Sequence, residues 1–305
     1  METELYKSRS FSSCIKAAYI LISTNIKTIF KSTWLPALLY AMVLAASIMM
    51  EIPDKSLVDT GMARPIITSV IMLCIWILDI AISTWFVASI ISLLNGEGFK
   101  KNLTRSIVIT LVSLLFMAIL WLLTFVSKGV FTSLLTSTKA TTTASVVAPA
   151  ISMLVFSVIF GIVLLPYSFS SMKYLVDHTS KISDLFKKDY VKGWHHWGFL
   201  LITLFITIVI ICLLALIVFV PLIIIVVAQS INQLGIISGD PSGAPGYFPY
   251  LVYATALITM FILAYIMVWA YFVLYYAYGS IETLEKEKHE MMETMQHEIT
   301  TENKI

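Results

Sequence analysis

Six long apolar stretches, running approximately over residues 34–50, 66–94, 106–127, 147–174, 197–227 and 249–278, leave this chain very few ways to fold. About 20 mostly apolar residues are enough for one helix to cross the roughly 30 Å hydrocarbon layer of a bilayer. The first stretch is barely that long, whereas the last two reach about 45 Å at 1.5 Å per residue and must tilt or project into water. Their Leu, Ile, Val and Phe runs lack the Gly-rich breaks that end a helix, and they are too long for a strand or a soluble core helix. Composition agrees: 59% of residues are hydrophobic and 12% are charged, against about 25% charged in soluble domains. The sequence therefore predicts an all-α, polytopic integral membrane protein with six transmembrane helices.

Orientation follows from the loops. On one side fall Lys7, Arg9, Lys16, Lys27, Lys31, Lys100, Lys101, Arg105, Lys173, Lys181, Lys187, Lys188, Lys192, Lys286, Lys288 and Lys304; on the other only Lys55, Arg64, Lys128 and Lys139. Both termini are thus expected in the cytoplasm, and an even number of spans agrees in placing them on the same side. A net charge of +2 gives no reason to expect a nucleic-acid partner. Three scattered cysteines, Cys14, Cys74 and Cys212, make neither a disulfide framework nor a zinc site. No secretory signal pattern precedes the first span, which is expected to be retained. The chain divides into a cytoplasmic amphipathic interfacial helix (1–33), a six-helix membrane domain (34–278) and a charged helical tail (279–305). Its expected place is the cell membrane, as a multi-pass protein, and the inner membrane in a Gram-negative bacterium.

The cytoplasmic segments share a character. Phe11, Ile15, Ile22, Ile26 and Ile29 recur on one helical stripe, while Lys16, Lys27 and Lys31 form a second stripe about 140° away. That is the pattern of a helix lying in the interface, with lysines toward anionic headgroups. Ser32-Thr33-Trp34-Leu35-Pro36 reads as its end, with Trp34 at the interface and Pro36 in the first turn of the next helix. Weaker versions precede the second and third hairpins, over 98–107 with Lys100, Lys101 and Arg105, and over 181–194 with Lys187, Lys188 and Lys192. Each unit then reads as a basic elbow followed by two membrane helices, repeated three times. These lysines and Arg105 are the candidate contacts for anionic lipid.

This order of elements, carried by the lead-in Ile26-Lys27-Thr28-Ile29-Phe30-Lys31-Ser32-Thr33-Trp34-Leu35-Pro36 and the elbow from Lys181 to Trp194, resembles a group of bacterial six-helix membrane proteins. That group includes the membrane domain fused to some glycerophosphodiester phosphodiesterases. The resemblance implies a membrane-resident accessory or transport-like role. This chain has no room for the soluble phosphodiesterase domain, and no catalytic residue carries over.

Asp79 is the one acidic residue inside a span, and an intramembrane carboxylate marks either a proton or cation site or a hydrogen-bonded packing pin. Ser83 at i+4 and Trp76 at i−3 are its candidate partners. His195 and His196, beside Trp194 and Trp197, point about 100° apart and so do not converge on a metal. They read as an interfacial collar. Asn102-Leu103-Thr104 matches a glycosylation sequon but sits on the cytoplasmic side, and Cys14 on the interfacial helix reads as an apolar position. Pro166 and Pro221 bend the fourth and fifth spans. The Ser- and Thr-rich segment 136–145 and the turns over 239–246 read as connectors. Beyond Ser280, the residues Ile281, Leu284, Met291, Met295 and Ile299 make an interrupted seam on a charged helix, suited to a protein partner or a second copy. No nucleophile–base pair, phosphate loop, paired acids or metal-ligand cluster is present, and the aqueous loops are short. The sequence therefore predicts a non-enzymatic membrane protein without a cofactor: a scaffold, accessory subunit or lipid-interacting factor, or alternatively a small transporter or channel with Asp79 lining its path.

Overall fold

The computed structural model describes residues 4–52, 63–137, 142–239 and 243–302. Lys55, Lys139 and Lys304, the middle of the Ser- and Thr-rich connector and residues 240–242 lie outside the described residues. The described chain is all-α, in the order α1 (Phe11–Glu51), α2 (Ala63–Asn95), α3 (Phe99–Ser137), α4 (Thr142–Val176), α5 (Ile182–Phe186), α6 (Lys188–His195), α7 (Trp197–Ile237) and α8 (Phe248–Glu302). Six of these helices, α1 to α4, α7 and α8, are long and apolar enough to cross a membrane. That defines the class: an all-α polytopic membrane protein. Its contacts fall into two compact units, Met1–Leu103 with Thr203–Thr283, and Thr104–Ile202 with Leu284–Ile305.

In the first unit, the lead-in does not end at Ser32–Pro36 as the sequence suggests. It runs on into the first span as one helix, with Pro36 inside it, and its non-helical residue is Asn25 (φ −114°, ψ 17°). The cause is local. Ser23 Oγ and Thr24 Oγ1 donate to the Ile20 carbonyl at 3.0 and 2.7 Å, and Asn25 Nδ2 donates to the Leu21 carbonyl at 3.1 Å. Three successive polar side chains thus compete for carbonyls of the preceding turn, a known way to bend a helix. The 33/34 boundary accordingly falls inside the part of α1 that follows the Asn25 break.

Before the break, α1 buries Cys14, Ala18 and Leu21, while Phe11 of the apolar stripe stays exposed, as does Ile26 just past the break. After it, Ala37, Ala41 and Ala45 are fully buried. Small residues four apart let neighbouring helices approach closely where lipid supplies no hydrophobic drive. Ala45 meets Leu222 of α7 and Ala256 of α8 in one cluster, and Tyr40 stacks on Phe86 of α2 with ring centroids 6.1 Å apart. The N-terminal segment is strapped to α8: Arg9 N donates to Ser280 Oγ and Ser280 Oγ donates to the Arg9 carbonyl, both at 2.9 Å. Gly279 permits this approach, since a Cβ there would lie 2.3 Å from the Leu5 carbonyl oxygen. Gly96, with φ 66°, follows the last residue of α2 in the left-handed conformation that glycine adopts without penalty.

In the second unit, the rings of Tyr167 and Tyr174 on α4 enclose Leu185 of α5, which is fully buried. Gly193 of α6 lies against Pro166 of α4, where a Cβ would come within 2.9 Å of the proline carbonyl oxygen. Pro166 removes a donor from α4 and crowds the turn before it; in that turn the Val163 carbonyl accepts the Tyr190 hydroxyl at 3.0 Å. Of the three expected elbows, only 181–194 forms separate helices, α5 and α6, divided at Lys187 (φ −116°, ψ −93°). The others are the leading half of α1 and the opening turns of α3.

Candidate functional site

The intramembrane acid is placed differently from its sequence neighbourhood. Ser83 Oγ donates to the Ile80 carbonyl at 3.1 Å, and Trp76 is 69% exposed. Neither hydrogen-bonds Asp79, whose Oδ1 is buried with no hydrogen-bond partner among the described residues. Tyr40, on α1, lies within electrostatic range of it. A bare buried oxygen in hydrocarbon is costly, so this carboxyl calls for a proton, an ion or a ligand group.

The basic residues separate into two kinds. Lys16, Lys27, Lys31, Lys100, Lys101, Lys187 and Lys188 are exposed and Lys192 is half-buried; Lys101 pairs with Glu97 at 3.3 Å. Arg105 differs: its guanidinium donates to the carbonyls of Tyr174, Asp177, His178 and Ser180 and lies over the Tyr174 ring at 4.5 Å. Tyr174 is in the last turn of α4, whose carbonyls have no intrahelical partner, and the other three acceptors lie just past the helix end at Val176; the Asp177 carbonyl also accepts the Ser180 N–H at 3.2 Å. The Arg105 donors close the C-terminus of α4 instead of facing a headgroup. Beside it, burial alone would raise the Asp177 carboxyl, but the Thr179 N–H and hydroxyl donate to it at 2.9 and 2.7 Å, with Lys173 and Arg105 nearby. The balance holds Asp177 below the usual carboxylate range.

Two further pairs organise this end of the second unit. Lys173 of α4 and Asp189 of α6 approach to 2.9 Å with side chains only 14% and 4% exposed. His196, between α6 and α7, meets Glu285 on the extension of α8 at 2.7 Å. His195 instead turns back to the Val191 carbonyl at 2.8 Å, so the two histidines do diverge. Around the His196–Glu285 contact lies a cleft of about 770 Å³ bordered by Lys188, Lys192, His195 and Lys288. Beyond it α8 continues with Met291, Met292 and Met295 about half exposed; of Ile299 only the helical backbone is described. Among the described residues no group of three or more His, Cys, Asp or Glu gathers as a metal site.

Sequence reasoning missed several of these roles. Asn102, met as a sequon, is fully buried and exchanges hydrogen bonds with Asn95 at 2.8 and 3.1 Å and with Ser92 at 2.9 Å, pinning the α2–α3 turn. The signal available was Asn95-Gly96, a helix-stop pair one turn ahead of a second amide. Lys173 and Asp189 gave no signal beyond opposite charge. Comparison with protein-family models, with curated proteins and with solved structures gives no match for this chain.

Proposed function

We propose that the chain is a non-enzymatic, multi-pass protein of the cell membrane that acts at the cytoplasmic leaflet as a scaffold, accessory subunit or lipid-interacting factor. One observation carries this reading: the basic corner where α6 and the α8 extension meet. There the His196–Glu285 contact anchors a helix that leaves the apolar span bearing half-exposed methionines, next to a cleft flanked by Lys188, Lys192 and Lys288. Lysines at a leaflet boundary attract anionic headgroups by about 1 kcal/mol each, and methionine surfaces adapt to partner helices. The similarity of element order to the phosphodiesterase-associated six-helix group supports the same accessory role.

Native mass spectrometry of the protein extracted gently from its own membrane tests it. A stoichiometric protein partner lost on truncation after Glu290, or an anionic lipid lost in a Lys188→Gln/Lys192→Gln/Lys288→Gln variant, supports the reading. A bare chain with neither refutes it. The unpartnered Asp79 Oδ1 favours a second reading, a small transporter or channel whose path passes this carboxyl. It requires Asp79→Asn to abolish a flux in proteoliposomes while helicity and extraction yield stay unchanged.

A further inference from the structure

Two polar contacts flank α6 in the second unit, and they differ in reach. Lys173 and Asp189 are sealed, with side chains 14% and 4% exposed, whereas those of His196 and Glu285 are 22% and 33% exposed, so water and ions reach the second pair. The His196 hydrogen bond, at 2.7 Å, outweighs burial and, with the charges of His196, Lys192 and Lys288 behind it, holds the Glu285 carboxyl below the usual carboxylate range. Glu285 is therefore an anion at neutral pH. The cleft of about 770 Å³ around it sets Lys188, Lys192 and Lys288 against Glu285 and Glu287, with Val191, Leu284 and Met291 as apolar lining. Lys188 and Lys192 are one turn apart and share a face of α6. An incoming phosphate meets cations that Glu285 already offsets, and gains most by taking its place. The apolar lining suits the glycerol and first acyl carbons of a lipid better than a free phosphate. Beyond Glu285 every residue from Lys286 to Gln296 is exposed, so little burial holds the α8 extension once that contact opens.

We propose that the phosphate of an anionic glycerophospholipid in the cytoplasmic leaflet displaces Glu285 from His196, Lys192 and Lys288, and thereby releases the α8 extension with its methionine face for a protein partner. The proposal rests on the basic-corner reading and deepens it: lipid and partner are coupled, and each raises the affinity for the other. Its test uses the full chain in two ways. Hydrogen exchange over residues 286–296 is compared in nanodiscs of palmitoyl-oleoyl phosphatidylcholine with and without palmitoyl-oleoyl phosphatidylglycerol. Native mass spectrometry in mild detergent, titrated with the same phosphatidylglycerol, gives the affinity.

In the wild type, phosphatidylglycerol is expected to speed exchange over 286–296 at least about threefold, and Glu285→Gln to abolish most of that response. Glu285→Gln should also bind phosphatidylglycerol about three- to fivefold tighter, the range to which a part-exposed ion pair converts. Glu287→Gln removes the same charge from the same cleft but not the His196 contact, and should gain less than about twofold. Equal gains in the two variants overturn displacement in favour of diffuse charge, and so does tail exchange that ignores retained phosphatidylglycerol. The same acceleration by inorganic phosphate in pure phosphatidylcholine discs overturns the lipid as the source. A wild type that retains no phosphatidylglycerol refutes the lipid arm of the basic-corner reading and this proposal with it, so the two failures are told apart.

Discussion

Replacing Arg105 by alanine tests whether the end of α4 is closed by that one side chain. Four carbonyls, of Tyr174, Asp177, His178 and Ser180, accept from its two terminal nitrogens. A hydrogen bond to a charged donor contributes about 1.5–3 kcal/mol, so four would sum to about 6–12 kcal/mol if none could be replaced. The site is half-buried, however, and water admitted by the shorter side chain will serve some of these carbonyls. We therefore expect a net loss of about 3–5 kcal/mol, in the range that breaking a buried network costs.

Arg105→Lys separates charge from geometry. The ammonium keeps the favourable interaction with the helix C-terminus, about 0.3–1 kcal/mol, and reaches one or two of the carbonyls, but it lacks the planar fork. About half of the alanine loss should remain. Reversible unfolding in mixed micelles, followed by circular dichroism, gives the free energies, and hydrogen exchange over residues 174–181 locates the change. Full rescue by lysine would show that charge alone closes the helix. An alanine cost below about 1 kcal/mol would refute the argument that these carbonyl contacts stabilise the fold.

Asp189→Ala leaves the buried Lys173 without its carboxylate and should destabilise by about 3–5 kcal/mol in the same assay, whereas Lys173→Met with Asp189→Leu should cost far less. Gly279→Ala forces a Cβ against Leu5 and should release the N-terminal strap, read as faster hydrogen exchange at the Arg9 amide with little change at α2. Because Asp177 titrates below the usual carboxylate range, its contribution is complete above its ordinary value near 4 and is lost as pH falls through the lowered folded value. Asp177→Asn should therefore flatten the acid limb of the stability profile and leave the slope between pH 6 and 8 unchanged.

The parts of this fold that are legible in sequence are those the bilayer dictates one residue at a time. A span must be apolar throughout its length, so six helices follow from running hydropathy alone, and the charged tail follows from the helical spacing of Ile281, Leu284, Met291 and Met295. What escapes is direction. Lys27 and Arg105 both count as basic juxtamembrane residues, yet one is exposed and the other turns into a helix end. Proline is the strongest punctuation in a sequence, so Pro36 attracts the helix boundary, whereas the break arises from Ser23, Thr24 and Asn25 bonding backward. Pairs such as His196 with Glu285, 89 residues apart, depend on which helices become neighbours, and opposite charge alone does not specify that. The neighbour of Asp79, Tyr40, likewise comes from another helix rather than from its own next turn.

Polar satisfaction then sorts the molecule by purpose. At the helix ends donors and acceptors are tightly matched: Asn102 with Asn95 and Ser92, Arg105 with four carbonyls, Ser280 with both backbone atoms of Arg9. Such matching holds turns in one conformation. Inside the long helices of the first unit, Asp79 Oδ1, Gln229 Oε1 and Trp269 Nε1 are buried without a hydrogen-bond partner among the described residues, as is Ser106 Oγ near the start of α3. In hydrocarbon each such atom costs more than it would beside water. Stability alone would favour an apolar side chain at each position, since exchanging a buried unmatched group for one of similar shape is neutral or stabilising. For Asp79 the proposed transport reading would supply a reason to keep the carboxyl, and Asp79→Asn tests it with a single substitution.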